Sequence, residues 1–227
     1  MRYDHIRKGV FQARPNRFVA EVLLDGKSVI CHVKNTGRCR ELLVPGAVVY
    51  LDEVSGRHRK TKYDLVAVEK QGMLINMDSQ APNRVFQEYV DRGDFLPEVT
   101  QIRPEYTFGE GRFDFYLEQG KQKHLVEVKG VTLEEYGVVR FPDAPTERGV
   151  KHINGLMEAL KQGYISWLCF VVQMSGVRYL EPNDETHPAF GEILRRAKTA
   201  GVRVLALECA VTPDSLTITK QVPVHLS

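Results

Sequence analysis

The sequence predicts a two-domain chain of the α+β or α/β class. A small five-stranded barrel of the OB type comes first. A domain whose sheet is flanked by helices follows. Three observations predict this. Residues 1–75 hold short runs rich in β-branched side chains, separated by turn signals and with little helical periodicity. Beyond Asp78, helical patterns alternate with buried-strand patterns, the mark of helices layered on a sheet. The charge divides at the same place. Residues 1–75 carry 14 of the 31 basic and 8 of the 29 acidic side chains, a net of +6, so the remainder carries −4. The expected domains are 1–78 and 79–227.

In the first domain the expected strands are Phe18–Leu24, Ser28–Val33, Ala47–Leu51 and Leu65–Glu69, with Met73–Met77 as the fifth. Asp25-Gly26, Pro45-Gly46 and Ser55-Gly56 supply the turns. Five short strands of this kind suit an OB-like barrel. In the second domain a helix is expected from Ala81-Pro82-Asn83 to about Arg92, closed by Gly93. Strands follow at Glu105–Phe108, Arg112–Leu117 and His124–Lys129. Pro145 and Thr146 open a longer helix to about Gln162, with Val150, Ile153, Met157 and Leu160 at helical spacing. Ile165–Gln173 is apolar almost throughout and reads as a strand buried on both faces. A helix over Phe190–Ala200, ended by Gly201, and a strand over Val202–Glu208 complete the pattern.

The 227 residues are 43% hydrophobic and 26% charged, which excludes disorder or coiled coil as a whole-chain reading. No run approaches the ~18 apolar residues of a membrane helix. The first eight residues lack the apolar core of a signal peptide. Cys31, Cys39, Cys169 and Cys209 are scattered without a CxxC pair, which argues against a disulfide framework and a structural zinc site. A cytoplasmic location is therefore expected, with no membrane partner.

The chemistry concentrates in one hairpin. If Gly120-Lys121 is a two-residue turn of type II′, the register follows by counting. Glu118 faces Lys123, Phe115 faces Val126, Asp114 faces Glu127 and Phe113 faces Val128. Facing carboxylates repel. A divalent cation would offset that, and two carboxylates with retained water suit Mg²⁺ or Mn²⁺. Lys129 projects on the face of Glu127, where an ammonium can stabilise charge developing on a phosphate. The competing reading is two carboxylates on a solvated strand face, one of them pointing to water or paired with Arg112.

Asp114, then twelve residues, then Glu127-Val128-Lys129 resembles the signature of the PD-(D/E)xK nuclease superfamily, with Phe113 standing where its proline is often found. A closer resemblance covers almost the whole chain. Asn35-Thr36-Gly37-Arg38, Arg112-Phe113-Asp114-Phe115, Val126–Leu133 and Phe141–Gly149 (FPDAPTERG) look like the sugar fermentation stimulation protein family. The resemblance implies an N-terminal OB-like domain joined to a restriction-endonuclease-like domain with a mixed sheet flanked by helices. It implies DNA binding with little sequence preference, and a regulatory role in maltose metabolism. The superfamily signature implies Asp114 and Glu127 as metal ligands, with both and Lys129 catalytic in hydrolysis of DNA or RNA. An acidic residue on the first helix, here Glu88, is implied as a further ligand, against its reading as a solvated carboxylate.

Arg148, Lys151 and His152 open the long helix, where a helix N-terminus and basic side chains favour a phosphate. A charged solvent face is the competing reading. In the barrel, Arg38, Arg57, Arg59, Lys60 and Lys62 are the expected backbone contacts to nucleic acid, with Phe11, Phe18 and Tyr50 as candidate stacking rings. A solubilising loop is the alternative for residues 57–62. Three functions follow: a metal-dependent nuclease, a DNA-binding regulator that cleaves nothing, and an enzyme acting on a phosphorylated sugar. No glycine-rich phosphate loop supports the third. A homodimer is open.

Overall fold

Three consecutive strands wrap one core, to which they contribute the buried side chains of Phe11, Ala20, Val22, Leu24, Cys31 and Val33. The computed structural model describes every residue except Thr36, Arg38, Arg57, His58 and Ser227. Strands β1 (Ile6–Asn16), β2 (Val19–Leu24) and β3 (Lys27–Val33) form an antiparallel meander. β4 (Val48–Glu53) pairs with β1, and β5 (Tyr63–Lys70) pairs with β4. The parallel β3–β5 pairing closes the circuit. This is the expected OB-like barrel, with two differences. Its first strand, β1, lies outside the expected set. Met73–Asn76 is a sixth strand, β6, hairpinned onto β5, rather than the fifth strand of the barrel.

The reason lies in β1 itself. Only Gly9 and Phe11 are buried along it, and register shifts at Phe11/Ala13 and Ala13/Asn16 break the two-residue period. Gly9 is required there. A Cβ would stand 2.6 Å from Val22 Cγ1.

In the second domain α1 (Ala81–Asp91) precedes β7 (Val99–Phe108), β8 (Gly111–Gln119) and β9 (Gln122–Val131). Then come β10 (Leu133–Glu135), β11 (Val138–Phe141), α2 (Glu147–Lys161) and β12 (Ile165–Val172). β13 (Tyr179–Pro182), α3 (Pro188–Ala200), β14 (Arg203–Thr212) and β15 (Ser215–Val222) complete the chain. The main sheet runs β15-β14-β12-β9-β8-β7, with β9, β12 and β14 mutually parallel and the rest antiparallel. α1 covers one face with Val85 and Phe86 against Phe115 and Val126. α2 and α3 cover the other with Ile153, Leu156 and Phe190 around Leu125 and Phe170. β12 lies between both layers, which explains its unbroken apolar run. The small sheet β10-β11-β13 and the edge strand β15 were not expected. β10, β11 and β13 are only three or four residues long, and the alternation of β15 covers only its first half.

The domains are joined through buried polar groups. Asp78 is fully buried and accepts from Lys34 Nζ of the barrel at 2.6 Å, from Tyr3 Oη at 3.2 Å and from the Gln80 N–H at 2.9 Å. Gln173, at the end of β12, donates to Asn76 Oδ1 and to the Asp78 carbonyl. The first residues sit on the second domain rather than on the barrel. Met1 N–H donates to the Leu216 carbonyl, and Tyr3 N–H to that of Asp214. Among the described residues no helix is long and apolar enough to cross a membrane.

Candidate active site

The β8–β9 hairpin turns at Gly120-Lys121, and Gly120 supplies the positive φ, +57°. Pairing follows the expected register from Gln119↔Gln122 through Glu118↔Lys123 to Phe115↔Val126. There it stops. The expected pairs Asp114/Glu127 and Phe113/Val128 do not form in the ladder. Instead Asp114 Oδ2 accepts the Val128 N–H at 2.7 Å, taking the place of a backbone acceptor. β8 stays paired with β7 through Phe113↔Tyr106 while it separates from β9. Phe115 packs in the core under α1, and Phe113, two residues earlier, packs in the core under α2. Strand alternation is therefore broken at Asp114. Beside the break, Glu105 on β7 adopts φ +55°. The facing carboxylates that simple pairing would create are avoided by a fork, and the Asp114 side chain sits in it.

Asp114 Oδ1 accepts from Asn83 Nδ2 on α1 at 2.7 Å. Burial raises the Asp114 pKa, and the Glu127 carboxylate adds to the rise. Glu127 is 2% exposed. Its Oε1 accepts from Lys129 Nζ and is hydrogen-bonded to His152 Nδ1, while Oε2 is buried without a partner. Burial works to raise the Glu127 pKa too, but the His152 bond and the Lys129 charge outweigh it and hold it low. Arg148 Nε donates to His152 Nε2 at 3.4 Å, which places the imidazole proton on Nδ1, toward Glu127. Two carboxylates with opposite shifts thus lie near each other at the fork.

The fork brings together Asp114, Glu127 and Lys129, with His152 and Arg148 behind Glu127. Two of these contacts lie beyond the sequence reading. Asn83 is at the expected helix start, but only the fold brings it to Asp114. His152 is grouped in sequence with phosphate-binding side chains, whereas it supports a carboxylate. Glu88 lies elsewhere. Five residues past Asn83 turns it about 140° round the helix, and its Oε2 pairs with the Met1 amino group at 2.6 Å. Lys151 is exposed on α2, 4.0 Å from Glu110. Gln173 lines a cleft of about 310 Å³ with Asn35 of the barrel, Gly130 and the Phe141–Thr146 loop.

In the barrel, Arg59, Lys60 and Lys62 line a cavity of about 940 Å³ with Arg7 and Glu53. Arg59 pairs with Asp64, and Lys62 with Glu53 at 2.7 Å. The exposed Lys62–Glu53 pair can exchange cheaply for a phosphate, whereas Arg59 is tied to a buried carboxylate. Arg38 and Arg57 lie outside the described residues. Of the candidate rings, Phe11 is buried in the core and Tyr50 is nearly so, its hydroxyl donating to Glu69. Phe18 is 45% exposed, with the Arg17 guanidinium over its face.

Comparison with known proteins agrees with this architecture. The family model described as "SfsA N-terminal OB domain" matches residues 13–77. The model described as "Sugar fermentation stimulation protein RE domain" matches residues 80–215, more than half of the chain. The chain belongs to the sugar fermentation stimulation protein family. A homologue from Desulfitobacterium hafniense is 57% identical over 95% of this chain and 94% of its own length. One from Clostridium beijerinckii is 50% identical over the full length of both. Among solved structures, that of Pyrococcus furiosus SfsA in complex with Ca²⁺ covers 99% of this chain and 98% of its own, with a TM-score of 0.90 and 27% identity. The expected two-domain fold and the family resemblance both hold.

Proposed function

We propose that the protein binds DNA through its barrel with little regard for base sequence and hydrolyses phosphodiester bonds at the β8–β9 fork, with Mg²⁺ or Mn²⁺ as cofactor. The observation that carries this is the unpartnered Oε2 of Glu127, buried beside Asp114. An orphaned carboxylate oxygen costs stability unless something else satisfies it. The donor set, carboxylate oxygens, fits a hard divalent cation. Asp114 and Glu127 would hold the ion. Among the described residues no three His, Cys, Asp or Glu side chains converge as a cluster, so these two and water would complete the coordination. The Pyrococcus furiosus relative, solved in complex with Ca²⁺, supports a divalent cation in this fold.

When bound, the cation would polarise a phosphoryl oxygen and lower the pKa of a water. The protein's own groups supply the rest. Asn83 and the Val128 N–H fix the Asp114 carboxylate in one orientation. His152, oriented by Arg148, and Lys129 fix that of Glu127. Lys129 is 17% exposed, so its ammonium can also reach a phosphate oxygen at the fork. The test is a cleavage screen over single-stranded, duplex and branched DNA and RNA, with Mg²⁺, Mn²⁺ or chelator. Products are expected with metal only, and none from Asp114→Ala. Equal cleavage by that variant overturns the assignment.

A DNA-binding regulator without hydrolysis is the second reading. It is favoured by the two-carboxylate count, with Asn83 rather than an acid contributed by α1, and by the family's link to sugar fermentation. It requires DNA binding that persists in chelator and is unchanged in Glu127→Ala.

A further inference from the structure

A groove runs along α2 away from the fork. It has a volume of about 690 Å³ and begins at His152 and Phe113. His152 bonds to Glu127, and Phe113 directly precedes Asp114, so one wall residue adjoins each carboxylate. The floor is apolar, with Phe108 at the β7–β8 turn and Met157 partly exposed and Phe113 buried beneath. The rim carries Lys151, Lys161 and Arg196. Glu110 lies 4.0 Å from Lys151 and Glu158 lies 2.8 Å from Lys161, while Arg196 has no ion-pair partner among the described residues. From Lys151 to Lys161 the groove spans about 15 Å of helix. That is room for roughly four bases at the 3.4 Å spacing of stacked nucleotides.

We propose that this groove holds the unpaired bases of a single nucleic-acid strand leading into the fork. The inference rests on the nuclease reading of the fork and adds the form of its substrate. Cations on a rim beside an accessible ring, here Phe108, are what binds single strands, because phosphates take the cations and every base has a face to stack. A duplex offers phosphates to the rim but no free base face to the floor. Small residues keep the groove open. At Gly155 of α2 a Cβ would stand 2.6 Å from Phe113 Cζ and push that ring out of place. Phe108 rests on Phe113 and Tyr164, edge to face, with ring centres 6.3 and 5.2 Å away. Its position is thus fixed before any base arrives.

The test is fluorescence anisotropy of the full chain in chelator, so that binding is read apart from cleavage. The probes are a labelled single-stranded oligonucleotide and a blunt duplex of the same sequence. Phe108→Ala is expected to weaken single-strand binding roughly five- to a hundredfold, the loss of one stacked base, and to leave the duplex unchanged. Arg196→Glu lies on an exposed side chain, puts no demand on the core and is expected to weaken both probes, since either form offers phosphates to the rim. If neither variant weakens single-strand binding, or Phe108→Ala weakens both probes alike, the groove assignment is overturned. If the duplex binds and is cleaved with metal while Phe108→Ala shows no strand-selective effect, the groove alone fails. If neither probe binds, the nuclease reading falls with it.

Discussion

Replacing Asp114 by Asn should make the metal-free protein more stable while abolishing its proposed activity. Asp114 is a carboxylate placed at a cost. Burial and the neighbouring Glu127 charge raise its pKa. A carboxyl raised in the folded state holds its proton more tightly folded than unfolded. That contribution is fully present below the unfolded value, about 4, and is lost as pH rises through the folded value. At pH 7 the ionised group is therefore a net penalty. Asn removes the charge and keeps the shape. Its oxygen can still accept from Val128 N–H, and the Asn83 amide can turn to offer Oδ1 to the new NH₂. Glu127 does not stand directly opposite Asp114, but burial together with a like charge close by costs on the order of 1 kcal/mol, the scale of a like-charge pair across strands. For a chain of this size that is about 2–4 °C in Tm. The assay is thermal unfolding in chelator at pH 7.5, repeated toward pH 4. Asp114→Asn is expected to unfold above wild type at neutral pH, with the gap closing as pH falls. Adding Mn²⁺ at a hundred times its Kd stabilises wild type by about 2.7 kcal/mol, and the variant should not respond. A variant less stable than wild type at pH 7.5 in chelator would refute the reasoning.

Three further outcomes follow from contacts already described. Lys34→Met leaves Asp78 buried without its cationic partner and should cost about 3–5 kcal/mol in urea unfolding; adding Asp78→Asn should recover part of it. His152→Ala removes the side chain that orients Glu127 and should weaken Mn²⁺ affinity about 10- to 100-fold, read by isothermal titration. DNA affinity should fall linearly with the logarithm of salt, and reversing the charge at Lys60, the barrel-rim cation without a carboxylate partner among the described residues, should make that slope shallower by about one.

Much of this was legible in the sequence because it depends on local pattern. Thr146 caps α2 by accepting the Gly149 N–H, Gly201 closes α3 with φ +108°, and Gly120 fixes the hairpin. Each is a rule about one residue and its near neighbours. β1 was hidden because its bulges remove the alternation that marks a strand. The fork was hidden for a related reason. Counting from the turn assumes continuous pairing, and the ladder ends where two carboxylates would have met. Asn83 could not be found by spacing at all, since it lies 31 positions before Asp114 and only α1 docking on the sheet brings them together. Glu88 was the acidic residue a motif search would choose on that helix, and it occupies another face.

The termini give the barrel an unexpected standing. Met1 is hydrogen-bonded to Leu216, 215 positions away, and Tyr3 to the Asp214 carbonyl. The chain therefore begins in the second domain, leaves to build the barrel, and returns at Asp78. In topological terms the barrel is a large insertion within the sheet domain. As the chain leaves the ribosome the barrel can close early, whereas the backbone partners of Met1 and Tyr3, at Leu216 and Asp214, arrive only with the β14–β15 hairpin. A cut that released β15 would also loosen the start of the chain, and with it the Tyr3–Asp78 contact at the root of the barrel.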